Sequence, residues 1–98
     1  SWFLTIDALL RIRNLNDDWD GECTEAPHKS LVDGAITLAK ALQAKETPPP
    51  DRVYAGVNAT VYFEWHDPLA YTEIEVVSPV ESECRSVLNA VSNRRRVD

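Results

Sequence analysis

The stretch TVYFEWHDPLAYTEIEV, residues 60–76, decides the fold. Val61, Phe63 and Trp65 alternate with Thr60, Tyr62, Glu64 and His66, the period of two that a half-buried β-strand requires. Asp67-Pro68 then makes a turn, because Pro presets φ and Asp bonds nearby backbone. Thr72, Ile74 and Val76 alternate with Tyr71, Glu73 and Glu75 in a further strand. Upstream, Val53 and Ala55 alternate with Arg52 and Tyr54, and Gly56-Val57-Asn58 reads as a turn. Short turns between alternating segments predict adjacent antiparallel strands, a β-meander. Val53, Ala55, Val61, Phe63, Trp65, Ile74 and Val76 then point one way. Arg52, Tyr54, Tyr62, Glu64, His66, Tyr71, Glu73 and Glu75 point the other.

The residues before the meander read as helices that cover its apolar face. Trp2, Ile6, Leu9 and Arg13 fall on one helical stripe over residues 2–14, with Phe3, Ile6 and Leu10 on its neighbour. Asn14, Asn16, Asp17 and Asp18 stop this helix, since short polar side chains compete for its backbone. An acidic loop follows over residues 17–25, around Trp19 and Gly21. Trp19 is expected to bury its ring against the second helix, and Gly21 to take a positive φ. Thr24 caps that second helix and Pro27 suits its first turn, where a missing N–H costs nothing. Leu31, Ala35, Leu38 and Leu42, with Val32, Ile36 and Ala39, give it a wide apolar face through about residue 45. Gly34 inside it marks a close approach by another element. Pro48-Pro49-Pro50 ends the helical region as a stiff, extended connector.

The segment after Val76 has two readings. Ser78-Pro79-Val80-Glu81 matches a capping box with Pro at the first helical position. Val80, Cys84, Val87, Leu88 and Val91 keep helical spacing, whereas a strand over 83–91 alternates poorly. The residues alone favour a helix over 80–92. The expected fold is α+β, with two or three helices packed on one face of a three- or four-stranded antiparallel β-meander. It forms a single domain over residues 1–93 with a polar C-terminal tail, 94–98. Phe63 and Trp65 anchor its core against Ile6, Leu31 and Leu38.

Trp19-Asp20-Gly21, Ala26-Pro27 opening an Ala/Leu-rich helix, the Pro run, Gly56, Glu64-Trp65, and Glu73-Ile74-Glu75 with Ser78-Pro79 resemble a family of small bacterial proteins of uncharacterised function. The likeness spans roughly residues 14–83. It implies a bacterial, intracellular α+β protein and carries over no catalytic residue. It also implies a strand after the Ser-Pro, against the helical spacing there.

Composition narrows the function classes. The 98 residues carry 10 Lys+Arg against 16 Asp+Glu, a formal charge of −6, and 44% of them are hydrophobic. Such a chain folds, because disorder needs low hydrophobicity together with high charge. Removing the terminal run Arg94-Arg95-Arg96 leaves 10 − 3 = 7 basic residues in an acidic body. Nucleic-acid binding needs clustered Lys/Arg that displace counterions, so the expected partners exclude it. An acidic body favours a basic macromolecule. No segment approaches the roughly 18 apolar residues of a membrane span. The apolar opening Trp2–Leu10 is interrupted by Asp7 and lacks a preceding basic region, so it does not read as a signal peptide. Cys23 and Cys84 lack Cys-x-x-Cys spacing, and reduced thiols in a cytoplasmic protein are the simpler expectation.

Few motifs carry chemistry. Asn16-Asp17-Asp18-Trp19-Asp20-Gly21 fits the opening of a calcium loop, with oxygen ligands at alternate positions and a Gly for the sharp turn. Its twelfth position, which should supply a bidentate Glu, is Pro27, so an acidic turn is the favoured reading. Cys23, His28, His66 and Cys84 have the number but not the spacing of zinc ligands. There is no Gly-x-Gly-x-x-Gly, phosphate loop, Gly-x-Ser-x-Gly or His-Glu-x-x-His. Glu64, His66 and Asp67 form an acid–base group on paper, but such work needs a cleft that shifts their pKa values. No enzyme activity, cofactor or metal is therefore expected.

The informative pattern is facial. All three tyrosines of the chain fall on the side the helices leave bare, and Tyr is enriched at protein interfaces. Tyr54, Tyr62, Glu64, Tyr71, Glu73 and Glu75 are the expected partner-binding residues. The expected function is a small acidic interaction or regulatory module, antitoxin-like toward a basic protein, or a homodimer. The alternatives are a calcium module on residues 16–21 and a ligand binder or enzyme using Glu64 and His66.

Overall fold

The computed structural model describes residues 1–88. Helices α1 (Trp2–Arg13) and α2 (Lys29–Ala44) precede strands β1 (Arg52–Ala55), β2 (Val61–His66), β3 (Ala70–Ser78) and β4 (Glu81–Leu88). The strands pair in the order β1-β2-β3-β4, each neighbour antiparallel. The protein is α+β, two helices with a four-stranded antiparallel meander. The expected 93/94 domain boundary, the Arg94–Arg96 run, and the Val91 of the helical reading lie outside the described residues.

Helix α1 begins where the Ser1 side chain accepts the Leu4 N–H, satisfying one of the donors a helix start leaves free. Its buried residues are Trp2, Thr5, Leu9 and Ile12, one step round from the expected stripe. Both stripes have helical spacing, so periodicity does not separate them. The polar Thr5 tolerates burial because its hydroxyl donates to the Ser1 carbonyl. Arg13 instead reaches α2, its guanidinium bonding both Asp33 oxygens at 2.7 and 3.3 Å. Phe3 and Leu10 face outward.

Helix α2 starts later than the sequence suggests. Thr24 does not cap it: its hydroxyl donates to the Asp20 carboxylate. The helix opens at Lys29, with His28 at the cap position in extended conformation and no side-chain cap. Leu31, Val32, Ala35 and Ala39 are buried. The C-terminus closes through Glu46, whose φ of 61° is left-handed, the conformation that commonly ends helices. Two indoles then hold the connector to β1. Trp2 donates to the Thr47 carbonyl and Trp65 to the Pro48 carbonyl, both at 2.8 Å.

One core joins the layers. Leu9, Ile12, Leu31, Val32, Ala35 and Ala39 meet Val61, Phe63 and Val76 from the sheet. Phe63 is fully buried, as an anchor should be. Trp65, expected beside it, is only half-buried at the margin. It reaches toward the polar connector, which gives its N–H an acceptor. Ile6 and Leu38 likewise pack at the margin.

The C-terminal segment corrects the helical reading of 80–92. Residues Glu81–Leu88 are strand β4, paired with β3 through Ile74↔Cys84 and Glu73↔Arg85. Ser78 and Glu81 do interact, but not as a capping box: Ser78 Oγ accepts the Val80 N–H and donates to the Glu81 carboxylate. Those bonds close a hairpin turn rather than start a helix. Alternation is hidden because β4 is exposed throughout, so neither face selects apolar residues. The turn sits against α2 at Gly34, where a β-carbon would collide with the Pro79 carbonyl. That is the close approach the glycine announced.

Candidate functional site

Strand register arranges the outer sheet face in rows. Tyr54, Tyr62, Glu75 and Glu83 form one, and Arg52, Glu64, Glu73 and Arg85 the next. His66, Tyr71 and Val87 form the third. All six expected partner-binding residues therefore share this face.

They are not a loose solvated surface. Glu64 and Glu75 are only 6% and 9% exposed, because aromatic rings and a guanidinium close over them. Tyr54 donates to Glu64 Oε2 at 2.5 Å, and His66 Nε2 lies 3.1 Å from Oε1 of the same carboxylate. Thr60 donates to Glu75 at 2.8 Å, and Tyr71 to Glu73 at 2.9 Å. Arg85 binds three carboxylates: Glu73 at 2.7 Å, Glu75 at 2.8 Å and Glu83 at 2.9 Å. Each buried charge thus has the hydrogen-bonded partners that burial demands.

The rings are packed as well as bonded. Tyr54 and Tyr62 stack with centroids 5.1 Å apart and planes 10° from parallel. The Arg52 guanidinium caps the Tyr54 ring at 4.6 Å, a cation–π contact. His66 meets Tyr71 edge-on at 5.2 Å. Tyr62 lies over Gly56, where a β-carbon would stand 2.5 Å from its Cε1. Only glycine admits the ring there.

Ionisation follows these contacts. Burial pushes the Glu64 carboxyl up, but bonds from Tyr54, Tyr71 and His66 and the Arg52 charge outweigh it and hold it below the usual carboxylate range. Glu75 is likewise lowered: burial opposes, and Arg85, Thr60 and Tyr62 prevail. Burial, then the bond to Glu64, pushes the Tyr54 phenol up to about 12. Tyr62 and Tyr71 rise for the same reasons, burial first and neighbouring Glu second. Glu64 and Glu75 are thereby held as carboxylates, and the three tyrosines as neutral phenols, across the neutral range.

Three members were missed from sequence. Arg85 ties together Glu73, Glu75 and Glu83 at the centre of the face, but the helical reading of 80–92 removed it. Thr60, buried at the strand entrance, had no signal beyond alternation. Gly56 was read as a turn residue only, although a glycine before an aromatic strand can mark a ring lying over backbone.

The other candidate groups stand elsewhere. In the acidic loop the carboxylates bond the loop itself: Asp17 accepts the Ala26 N–H, Asp18 the Cys23 N–H, and Asp20 the Glu22 N–H and Thr24 hydroxyl. Thr24, then the Glu22 N–H, holds the Asp20 carboxyl below its usual range. Gly21 has the expected positive φ of 76°. Trp19 is half-buried and outside the core cluster, its indole N–H enclosed without an acceptor. Among the described residues no three His, Cys, Asp or Glu side chains are grouped as a cation site needs. Cys23 and Cys84 are free and exposed. Glu64 and His66 touch, as noted, while Asp67 is exposed in the next turn. Away from the sheet face, α1 exposes Phe3, Leu4 and Leu10. A groove of about 400 Å³ runs between α2 and the β3–β4 turn.

Among the described residues, no helix is long and apolar enough to cross a membrane. Comparison with family models, curated proteins and solved structures finds no match.

Proposed function

We propose that this chain is an acidic, non-catalytic interaction module that binds a basic protein through the outer sheet face, as an antitoxin-like regulator would. The carrying observation is the preorganised row structure of Tyr54, Tyr62, Tyr71, Glu64, Glu73 and Glu75 on the side away from the helices. Rings locked by stacking lose little entropy on binding, and carboxylates held ionised attract a cationic surface at long range. The depressed Glu64 carboxyl argues against general acid work, which wants a raised one. In the acidic loop the Asp oxygens already serve backbone donors, which weakens the calcium alternative. The bacterial origin and cytoplasmic setting implied by the resemblance belong to the same proposal.

The test is comparative capture. Wild-type protein should retain a basic partner that Tyr71→Ala retains at least tenfold more weakly, the loss typical of an interface tyrosine. The Glu73→Lys variant should slow association, most at low salt. Equal capture by all three, each verified as folded, would end the proposal.

A further inference from the structure

The two edges of the sheet differ in kind. Strand β1 has 4 residues, and Pro48-Pro49-Pro50 runs just ahead of it; short, proline-guarded edges resist further pairing. Strand β4 has 8 residues, contains no proline, and is exposed throughout. It is the last strand of the sheet, so its outer backbone edge faces no strand among the described residues. The core helices pack on Val61, Phe63 and Val76 of β2 and β3. On the inward side of β4, Cys84 and Ser86 are exposed, while Ser82 borders the groove against α2.

This edge is complementary to itself. Let two β4 strands run antiparallel about a twofold axis through Cys84, perpendicular to the sheet. Glu83 then faces Arg85 of the second copy, Arg85 faces Glu83, and Ser82 faces Ser86. Opposite charges directly across a strand pair stabilise it and like charges oppose it. The charges also select the register. Moving the axis one residue sets Glu83 against Glu83, or Arg85 against Arg85. A further asymmetry favours the pairing: each Arg85 serves three carboxylates of its own chain. Across the axis Glu83, whose side chain is 61% exposed, gains a second guanidinium.

We infer that a second copy of this chain pairs along β4, with Cys84 on the twofold axis, so that one antiparallel sheet runs through both copies. The contact is isologous, each strand presenting the same residues to the other. An axis perpendicular to the sheet keeps both outer faces on one side, placing the two tyrosine–glutamate surfaces next to each other. The pairing rests on β4 alone and stands whether or not those surfaces bind a partner.

Sedimentation velocity over a concentration series, combined with thiol cross-linking, tests this. In a Cys23→Ser background, diamide should link two copies through Cys84: two thiols form one disulfide, and their two hydrogens pass to the diazene, giving a hydrazine. A Cys84→Ser, Ser86→Cys variant in the same background should not link. Its two thiols would stand four residues apart, roughly 14 Å, beyond the 4.4–6.8 Å Cα separation of a disulfide. The Glu83→Arg variant, folded by circular dichroism, should weaken dimerisation about tenfold, and Tyr71→Ala should leave it unchanged. A protein that stays monomeric at all concentrations overturns the inference. So does a position-86 thiol that links as fast as Cys84, or a dimer lost in Tyr71→Ala, which would place the contact on the outer face.

Discussion

Replacing Gly34 with alanine sets two forces of opposite sign against each other. In an exposed helix interior the change stabilises by about 0.8–1.0 kcal/mol, because alanine loses less backbone entropy. Here the new β-carbon would lie 2.9 Å from both the Cα and the carbonyl carbon of Pro79 and closer still to its oxygen. Carbon atoms pack comfortably at roughly 3.5–4.0 Å, so the turn or the helix must move by much of an ångström. The obstacle is backbone, held from both sides by the paired β3 and β4, and cannot rotate away as a side chain would. Overpacking of this kind costs about 1–3 kcal/mol, with the upper end expected for a rigid neighbour. Subtracting the propensity gain leaves a net destabilisation of about 1–2 kcal/mol. For a domain of this size that lowers Tm by roughly 5–15 °C, readable by thermal melts followed by circular dichroism. A Tm at or above the parent value would refute the close approach, and with it the seating of the β3–β4 hairpin on α2.

Other outcomes follow from the same contacts. Phe63→Ala should cost about 3–5 kcal/mol in urea unfolding, as for other fully buried aromatics; a loss under 1 kcal/mol would show that the core is centred elsewhere. Thr60→Val removes the buried hydroxyl that Glu75 accepts and should cost about 1.5–3 kcal/mol, whereas a neutral result would show that water replaces it. Because Glu64 and Glu75 are held below their usual range, the unfolded chain binds more protons in acid. Their contribution is present above the unfolded carboxyl value of about 4.3 and is lost as pH falls through the folded values. Arg85→Gln should lift Glu75 and move acid unfolding to higher pH, and an unchanged acid midpoint would exclude the ion cluster as its cause. In alkali the sign reverses for Tyr54, whose phenol is raised to about 12. Its contribution is full below the unfolded value of about 10 and lost as pH climbs through 12, so Tyr54→Phe should remove one late step from the phenolate absorbance titration.

Where burial is one-sided, alternation recovered the architecture. Val61, Phe63, Ile74 and Val76 could face only one layer, and the alternation assigned the outer-face residues of β1–β3 in agreement with the register. Alternation carries no signal where burial gives no instruction. Strand β4 touches solvent on both sides, so Glu81, Glu83 and Arg85 alternate with small Ser82, Cys84 and Ser86 rather than with an apolar set, and the chance helical spacing of Val80, Cys84 and Val87 dominated. Losing β4 hid Arg85, and with it the ion cluster that joins Glu73, Glu75 and Glu83. The helix starts failed differently. Thr24 is a good cap in isolation, but the helix opens only at Lys29, out of reach of its hydroxyl. An acidic loop whose charges repel leads one to expect Trp19 to hold it down by burying its ring against the second helix, yet the loop is closed by Asp17, Asp18 and Asp20 bonding its own backbone. A half-buried ring there should cost nearer 1–2 kcal/mol on truncation than the 3 or more of a core residue.

Hydroxyl-radical footprinting of the protein alone and in complex with its captured partner tests the proposed binding face most directly. Side-chain oxidation at Tyr62 and Tyr71 should fall on complex formation, while Phe3 and Leu10 on the exposed side of α1 react as in the free protein. Protection confined to Phe3, Leu10 or the 17–25 loop, with Tyr62 and Tyr71 unchanged, would contradict the assignment of function to the outer sheet face.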